Sequence, residues 1–170
     1  MAPGQLKSPS MFDATIGLGS NMGDKAANID EAIRRLTAGG DIRLVKSSRV
    51  YRSEPWGYKD QEWFANACIS IATELDPRAL LHRCQEVETG MGRVRLQKWG
   101  PRVIDVDILT YGDQSIREPD LIVPHPLISQ RNFVLVPLNE IAPKIKIGGQ
   151  ALGGLIARMG TEGLTPITKK

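Results

Sequence analysis

Long apolar runs, paired cysteines and excess charge are all missing from this 170-residue sequence. No stretch of 18 apolar residues occurs, so the sequence predicts no membrane-spanning helix. The two cysteines, Cys68 and Cys84, fit neither a zinc nor a redox spacing and are expected to be buried thiols in a reducing cytosol. A net charge of +3 is too small to indicate nucleic-acid binding. We therefore expect a cytoplasmic protein with neither a membrane nor a nucleic-acid partner.

The composition is that of one ordinary folded domain. Hydrophobic residues make up 41% of the chain and charged residues 24%, which excludes a disordered, collagen-like or coiled-coil protein. Residues 1–10 lack the apolar segment of a secretory signal and are interpreted as a flexible leader. Residues 11–170 are predicted to form a single domain.

Hydrophobic periodicity predicts the order strand, helix, strand, strand, helix, strand. The first helix should end at Gly39-Gly40, and the second should begin with Asp76 as N-cap and Pro77 in its first position. This order is typical of a ferredoxin-like βαββαβ sandwich, an α+β fold in which helices pack on an antiparallel sheet. The strands are expected near 14–19, 42–52, 66–73 and 103–111, and two later helices near 133–141, with Pro137 in the first turn, and 153–159.

Asp105 and Asp107 are the strongest chemical feature of the sequence. Residues i and i+2 of a strand share a face, so both carboxylates interrupt a row that also contains Leu109. Two like charges on a half-buried face repel each other, and Mg²⁺ removes that repulsion while leaving positions for water and phosphate oxygens. The alternative is a strand whose aspartates simply face water.

Arginines close to this pair favour phosphate chemistry. Arg93, Arg95 and Arg102 lie within twelve residues of the aspartates. Guanidinium groups bind phosphate oxygens in a forked geometry, and carboxylates tolerate phosphate only through a metal ion. The combination predicts Mg²⁺-assisted phosphoryl transfer. From the residues alone, a metal-dependent phosphohydrolase or nuclease remains an alternative, and an RNA-binding module is disfavoured because the strand aspartates would repel RNA.

Three weaker features complete the set of candidates. The run from Gly17 to Gly23 is neither a dinucleotide-binding nor a P-loop motif, and predicts a tight strand-to-helix turn with positive φ. His125 lies between two prolines, which favours a positioned contact with phosphate or base over a surface turn. Near Asn66, whose amide both donates and accepts, several aromatic residues indicate a planar substrate, although each singly could be core: Trp56, Trp63, Phe64, Trp99 and Phe133.

Several of these motifs together resemble the 6-hydroxymethyl-7,8-dihydropterin pyrophosphokinase family of folate biosynthesis. The resemblance runs from about Thr15 to Pro143, and the run Trp-Gly-Pro-Arg-x-x-Asp-x-Asp is its most specific part. The matching residues are Leu18-Gly-Ser-Asn21, Glu54-Pro-Trp56-Gly57, Asn66, Glu88, Arg93-Val-Arg95, Trp99-Gly-Pro-Arg102, Asp105-Val-Asp107, Pro124-His125 and Arg131-Asn-Phe133.

The resemblance implies a monomeric, ferredoxin-like enzyme that transfers the pyrophosphoryl group of ATP to the hydroxymethyl oxygen of a reduced pterin and releases AMP. It implies catalytic roles for Arg93, Arg102 and Asp107, and two Mg²⁺ ions held by Asp105 and Asp107. It implies ATP contacts by Gln85, Glu88, Arg93, Trp99, Arg102, Ile108, His125 and Arg131. It implies pterin contacts by Ser53, Glu54, Pro55, Trp56, Phe64, Asn66, Asp105 and Phe133.

Overall fold

An antiparallel sheet of six strands organises the computed structural model, which describes residues 11–54, 60–92 and 102–167. The strand order is β10-β3-β4-β1-β5, and β2 also pairs with β4. The sheet strands are β1 (Phe12–Ser20), β2 (Ile42–Ser47), β3 (Tyr51–Ser53), β4 (Phe64–Thr73), β5 (Asp105–Tyr111) and β10 (Leu164–Pro166). Two small hairpins pair β6 (Ile116–Glu118) with β7 (Leu121–Val123), and β8 (Lys146–Ile147) with β9 (Gln150–Ala151). The helices are α1 (Lys25–Thr37), α2 (Pro77–Gly90), α3 (Asn132–Ile141) and α4 (Leu152–Met159).

The ferredoxin-like βαββαβ fold is confirmed. Strands β1 and β4 lie in the centre of the sheet, and α1 and α2 pack on one face through a core that includes Ile16, Ile69 and Ile108. Asp76 is the N-cap of α2, as expected, and its side chain accepts the Ala79 N–H at 2.8 Å. None of the described helices is long and apolar enough to cross a membrane.

The opposite face of the sheet is covered by the two later helices. Leu135 and Leu138 of α3 and Leu152 of α4 pack against Cys68 of β4 and Leu109 of β5. Neighbouring residues of β5 therefore belong to different cores, Ile108 to the first and Leu109 to the second. Both cysteines are buried free thiols, as predicted.

The structure differs from the predicted elements in two places that matter for the site. The expected strand 42–52 is divided into β2 and β3, and the gap is bridged because the Ser48 N–H donates to the Cys68 carbonyl at 2.9 Å. Helix α3 forms, but the expectation that Pro137 lies in its first turn is wrong, because the helix begins at Asn132 and Pro137 lies in its interior. Pro137 has no N–H to donate to the Phe133 carbonyl one turn earlier.

Candidate active site

A cavity of about 410 Å³ opens on the face of the sheet that α3 and α4 leave partly uncovered. Two glycines of β1 form its floor, because Gly17 and Gly19 point no side chain toward it. Gly19 pairs with Asn66 on β4 and with Asp105 on β5, and Gly17 pairs with Cys68 and Asp107 in the same way. Each carboxylate therefore stands next to a residue that has no side chain, which leaves room above the sheet.

Asp105 and Asp107 share this face of β5 and both line the cavity. They are half-buried, so the alternative of a strand face open to water is not what the structure shows. Arg102 Nη1 donates to Asp105 Oδ1 at 2.8 Å. The predicted catalytic arginine and the predicted metal ligand are thus already in contact, and the arginine offsets part of the negative charge of the pair.

Helix α2 supplies the wall next to β5. Leu81, Gln85 and Glu88 follow each other at helical spacing and line the cavity, while Leu80, Cys84 and Val87 face the core. Glu88 is only 6% exposed, and its Oε2 accepts the Val106 N–H at 2.9 Å. This contact satisfies a backbone donor at the edge of the sheet and fixes the helix against β5.

His125 and Arg131 form the wall above the carboxylates. His125 Nδ1 accepts the Leu127 N–H at 3.1 Å, so the neutral ring carries its proton on Nε2 and can donate from there. Burial, together with the charge of Arg131, lowers the pKa of His125 to about 4, and the ring is neutral at pH 7. Burial also lowers the pKa of Arg131, and the charges of Asp107 and Asp105 oppose that shift.

The opposite wall carries the predicted pterin residues that the structure describes. Ser53 is the last residue of β3 and Glu54 follows it, Phe64 begins β4, and Phe133 lies in the first turn of α3; all four line the cavity with Asn66. The Ser53 hydroxyl donates to Asn66 Oδ1 at 2.5 Å. This bond orients the amide so that Nδ2 faces the glycine floor, where a Cβ added to Gly19 would lie 3.0 Å away.

Asn21 has a role that the sequence did not reveal. It is 2% exposed, its N–H donates to the Arg102 carbonyl at 3.0 Å, and its Oδ1 accepts the Arg102 N–H at 2.7 Å. Its Nδ2 donates to Gln61 Oε1 at 2.6 Å and to the Glu62 carbonyl at 3.3 Å. The side chain of Asn21 therefore connects Gln61 and Glu62 to Arg102. In the sequence Asn21 follows the glycines of β1 and belongs to the matching run Leu18-Gly-Ser-Asn21, but neither feature predicted these contacts.

Comparison with known proteins agrees with this geometry. The family model described as 7,8-dihydro-6-hydroxymethylpterin-pyrophosphokinase (HPPK) matches residues 15–143. The chain belongs to the HPPK family. A 2-amino-4-hydroxy-6-hydroxymethyldihydropteridine pyrophosphokinase of Methylorubrum extorquens is 47% identical over 91% of this chain and 98% of its own length. The Bacillus subtilis protein of the same name is 41% identical over 78% of this chain and 80% of its own length.

Solved HPPK-DHPS structures share the fold. A Plasmodium falciparum HPPK-DHPS triple mutant with pteroate superposes with a TM-score of 0.72 at 16% identity, covering 94% of this chain and 47% of that one. A second HPPK-DHPS, in complex with substrates, gives a TM-score of 0.70 at 15% identity and covers 86% of this chain and 43% of that one. This chain therefore spans about half the length of those two solved chains.

Most of the described residues that the HPPK resemblance implies meet in one cavity. Two candidates do not: Ile108, which the resemblance implies, and Trp63, one of the aromatic residues that indicated a planar substrate. The side chain of Ile108 is buried in the core on the far face of β5. Trp63 is absent from the cavity lining and instead lies between two cations, with Lys25 Nζ at 4.2 Å and the Arg52 guanidinium at 4.7 Å from its ring centre. The predicted residues Pro55, Trp56, Arg93 and Trp99, with Arg95, lie outside the described residues.

Proposed function

We propose that this chain transfers the pyrophosphoryl group of ATP to the hydroxymethyl oxygen of 6-hydroxymethyl-7,8-dihydropterin and releases AMP. The observation that carries the proposal is the row Asn66, Gly19, Asp105 across three neighbouring strands. Strands lie about 4.8 Å apart, so roughly 10 Å separate the backbone of the amide from that of the carboxylate. A bicyclic pterin bound at the amide would extend its hydroxymethyl group over the bare glycine toward the carboxylates.

The carboxylates fit Mg²⁺. Mg²⁺ is usually held by one or two carboxylates together with water and substrate phosphate oxygens. Asp105 and Asp107 provide such a pair on one strand face, and no larger cluster of metal-binding side chains occurs among the residues that the structure describes. As the resemblance implies, our proposal has two Mg²⁺ ions held by Asp105 and Asp107. When bound, they would neutralise phosphate oxygens and make the β-phosphorus more electrophilic.

The cationic and N–H groups of the cavity suit the triphosphate. Arg102, now paired with Asp105, would exchange that carboxylate for a phosphate oxygen once Mg²⁺ occupies the site. The neutral His125 would donate its Nε2–H to a phosphate oxygen without adding a positive charge to the site. Arg131 would offset the negative charge that develops as the bond to AMP breaks. Gln85 and Glu88 lie on the helical wall where the nucleoside would bind.

The part of the cavity that would bind the pterin offers apolar rings to the faces of the heterocycle and polar groups to its edge. Phe64 and Phe133 both line the cavity and can contact the flat faces of a heterocycle. The Asn66 amide and the backbone of Ser53 and Glu54 can bind its hydrogen-bonding edge. These groups favour a planar acceptor over water, whereas nothing in the comparisons supports the phosphohydrolase alternative.

The test is incubation of the protein with ATP, Mg²⁺ and the reduced hydroxymethylpterin, with AMP and ADP resolved chromatographically. We expect pterin-dependent AMP; ADP as the product would contradict the proposal, and so would AMP formation without the pterin. Asp105→Asn and Asp107→Asn should each abolish turnover while the protein remains folded. The matched control is Asp113→Asn, because Asp113 is exposed in the turn after β5.

We also propose that the enzyme acts as a monomer in the cytoplasm, with residues 11–170 as its single domain and 1–10 as a leader. Strands β1, β2, β4 and β5 of the main sheet share cores with the helices on its two faces, which supports one folding unit. Sedimentation equilibrium tests the monomer directly, and a stable dimer would contradict it.

A further inference from the structure

The C-terminal strand covers the outer edge of the strand that carries the pterin wall. Strand β3 is three residues long, and β10 pairs with it so that Leu164 lies opposite Ser53 and Thr165 opposite Arg52. The Ile167 N–H donates to the Val50 carbonyl at 2.8 Å, which makes this a hydrogen-bonded pair. Because such pairs alternate, Thr165 and Arg52 form the next one, and Pro166 occupies the intervening position where no N–H is needed.

The same segment is fixed at its other end to helix α3. Asn132 Nδ2 donates to the Gly160 carbonyl at 3.2 Å and to the Glu162 carbonyl at 3.1 Å. Asn132 lies between Arg131 and Phe133, and both of these line the cavity. Its amide therefore connects the segment to the turn of helix that presents the two side chains.

The path between these two attachments is short and constrained. Gly160 and Gly163 have φ values of 82° and 80°, a conformation that favours glycine, and the Leu164 N–H donates to the Thr161 carbonyl at 3.2 Å. Gly163 passes close to the wall, because a Cβ added to it would lie 3.8 Å from Glu54 Cγ. A segment fixed at both ends in this way sets the separation of the two elements that it joins.

We propose that residues 160–167 are a positioning element that holds Ser53 and Glu54 at the correct distance from Phe133, and so determines the affinity for the pterin. The segment lies outside residues 15–143, the part of the chain that matches the family. None of the hydrogen bonds described above joins the segment to Asp105 or Asp107, so its effect through β3 falls on the pterin rather than on Mg²⁺. At its other end Asn132 adjoins Arg131 as well as Phe133, so that attachment also bears on an expected ATP contact. This inference rests on the function proposed above.

Two point variants test the inference through the two attachments. Thr165→Pro removes the N–H of a hydrogen-bonded pair, and Thr165→Ala is its control because the Thr165 side chain is exposed. Asn132→Ala removes both bonds to the turn and leaves β10 in place. We expect Thr165→Pro and Asn132→Ala each to raise KM for the pterin at least about fivefold. Thr165→Pro should change KM for ATP less than about twofold, whereas Asn132→Ala also affects the turn that carries Arg131. Thr165→Ala should match the parent protein.

Hydrogen exchange provides a readout that does not depend on turnover. The Arg52 amide belongs to the pair with Thr165, so its exchange should accelerate in Thr165→Pro and not in Thr165→Ala. Unchanged pterin KM in both variants, or equal increases in KM for pterin and ATP in Thr165→Pro, would overturn the inference. If Thr165→Pro fails to fold, the KM of Asn132→Ala for the pterin decides, and an unchanged value would overturn the inference. A parent protein that forms no pterin-dependent AMP would refute the proposed function instead, and pterin binding by calorimetry would then decide the positioning role.

Discussion

Replacing Asn21 by alanine is the perturbation whose consequences the structure defines best. The substitution removes the acceptor for the Arg102 N–H and the donor to Gln61 and Glu62, at distances of 2.7, 2.6 and 3.3 Å. Each neutral hydrogen bond contributes about 1 kcal/mol net, and a stranded buried N–H costs about 1–3 kcal/mol. The segments can relax toward water in part, so we expect the free energy of unfolding to fall by about 2–3 kcal/mol. For a chain of this length that is a decrease in Tm of roughly 5–10 °C.

The effect on turnover should exceed what stability explains. Arg102 reaches Asp105 Oδ1 at 2.8 Å from a backbone that Asn21 holds at both its N–H and its carbonyl. A displacement of about 1 Å at a reacting group can cost up to about 100-fold, so we expect kcat to fall at least about tenfold at a temperature where the variant is folded.

The matched control is Asn28→Ala in the first turn of α1, close to the same loop. Asn28 Nδ2 donates to Ser20 Oγ at 3.1 Å and to the Met22 carbonyl at 2.8 Å, and neither bond involves Arg102 or the segment at 61–62. Asn28→Ala should lower Tm with little effect on kcat. Thermal unfolding and steady-state rates at 25 °C separate the two quantities. A kcat for Asn21→Ala within twofold of that for Asn28→Ala would refute the reasoning.

Three further outcomes are expected. Gly19→Ala places a Cβ 3.0 Å from Asn66 Nδ2 and should raise KM for the pterin with little change in KM for ATP, whereas Gly154→Ala meets nothing within 4 Å and serves as control. The pKa of His125 is lowered to about 4 in the folded protein, against 6.5 for the free side chain, so the unfolded chain binds this proton more readily. The free energy of unfolding should therefore fall by about 2 kcal/mol as the pH decreases from 6.5 to 4, a value reduced for the partial solvent exposure of the ring. Denaturant titrations of His125→Gln should lack this decline. Arg102→Ala should depress kcat far more than it raises KM for ATP, and the reverse pattern would make Arg102 a binding residue only.

The side on which each strand residue lies was predictable from the sequence, because alternation fixes it. Asp105, Asp107 and Leu109 were expected on one face of a strand, and all three line the cavity. The N-cap at Asp76 was predictable for a similar reason, since its side-chain oxygen satisfies a donor only two or three residues away. Both inferences use contacts within a single element.

Contacts between elements were not predictable in the same way. The run from Gly17 to Gly23 predicted a turn with positive φ, and Gly23 has a φ of 67°, yet Gly17 and Gly19 are extended residues of β1. Their role depends on Asp105, Asp107 and Asn66 of the neighbouring strands, which a single-chain pattern does not place opposite them. The role of Asn21 likewise depends on partners 40 and 81 residues away.

One strand changes from core to active site along its own length, and this change explains why the cavity lies where it does. On the face toward α3, Thr15 is buried, and its hydroxyl shares a hydrogen bond of 2.6 Å with that of Thr110. The next positions on that face are Gly17 and Gly19, opposite Asp107 and Asp105. A Cβ at Gly19 would lie 3.0 Å from Asn66 Nδ2, and one at Gly17 would lie 3.3 Å from Leu109 Cδ2. A side chain at either position would therefore displace Asn66 or Leu109, both of which line the cavity. The two positions of β1 at which the sequence omits a side chain are thus the positions that keep the cavity beside the carboxylates intact.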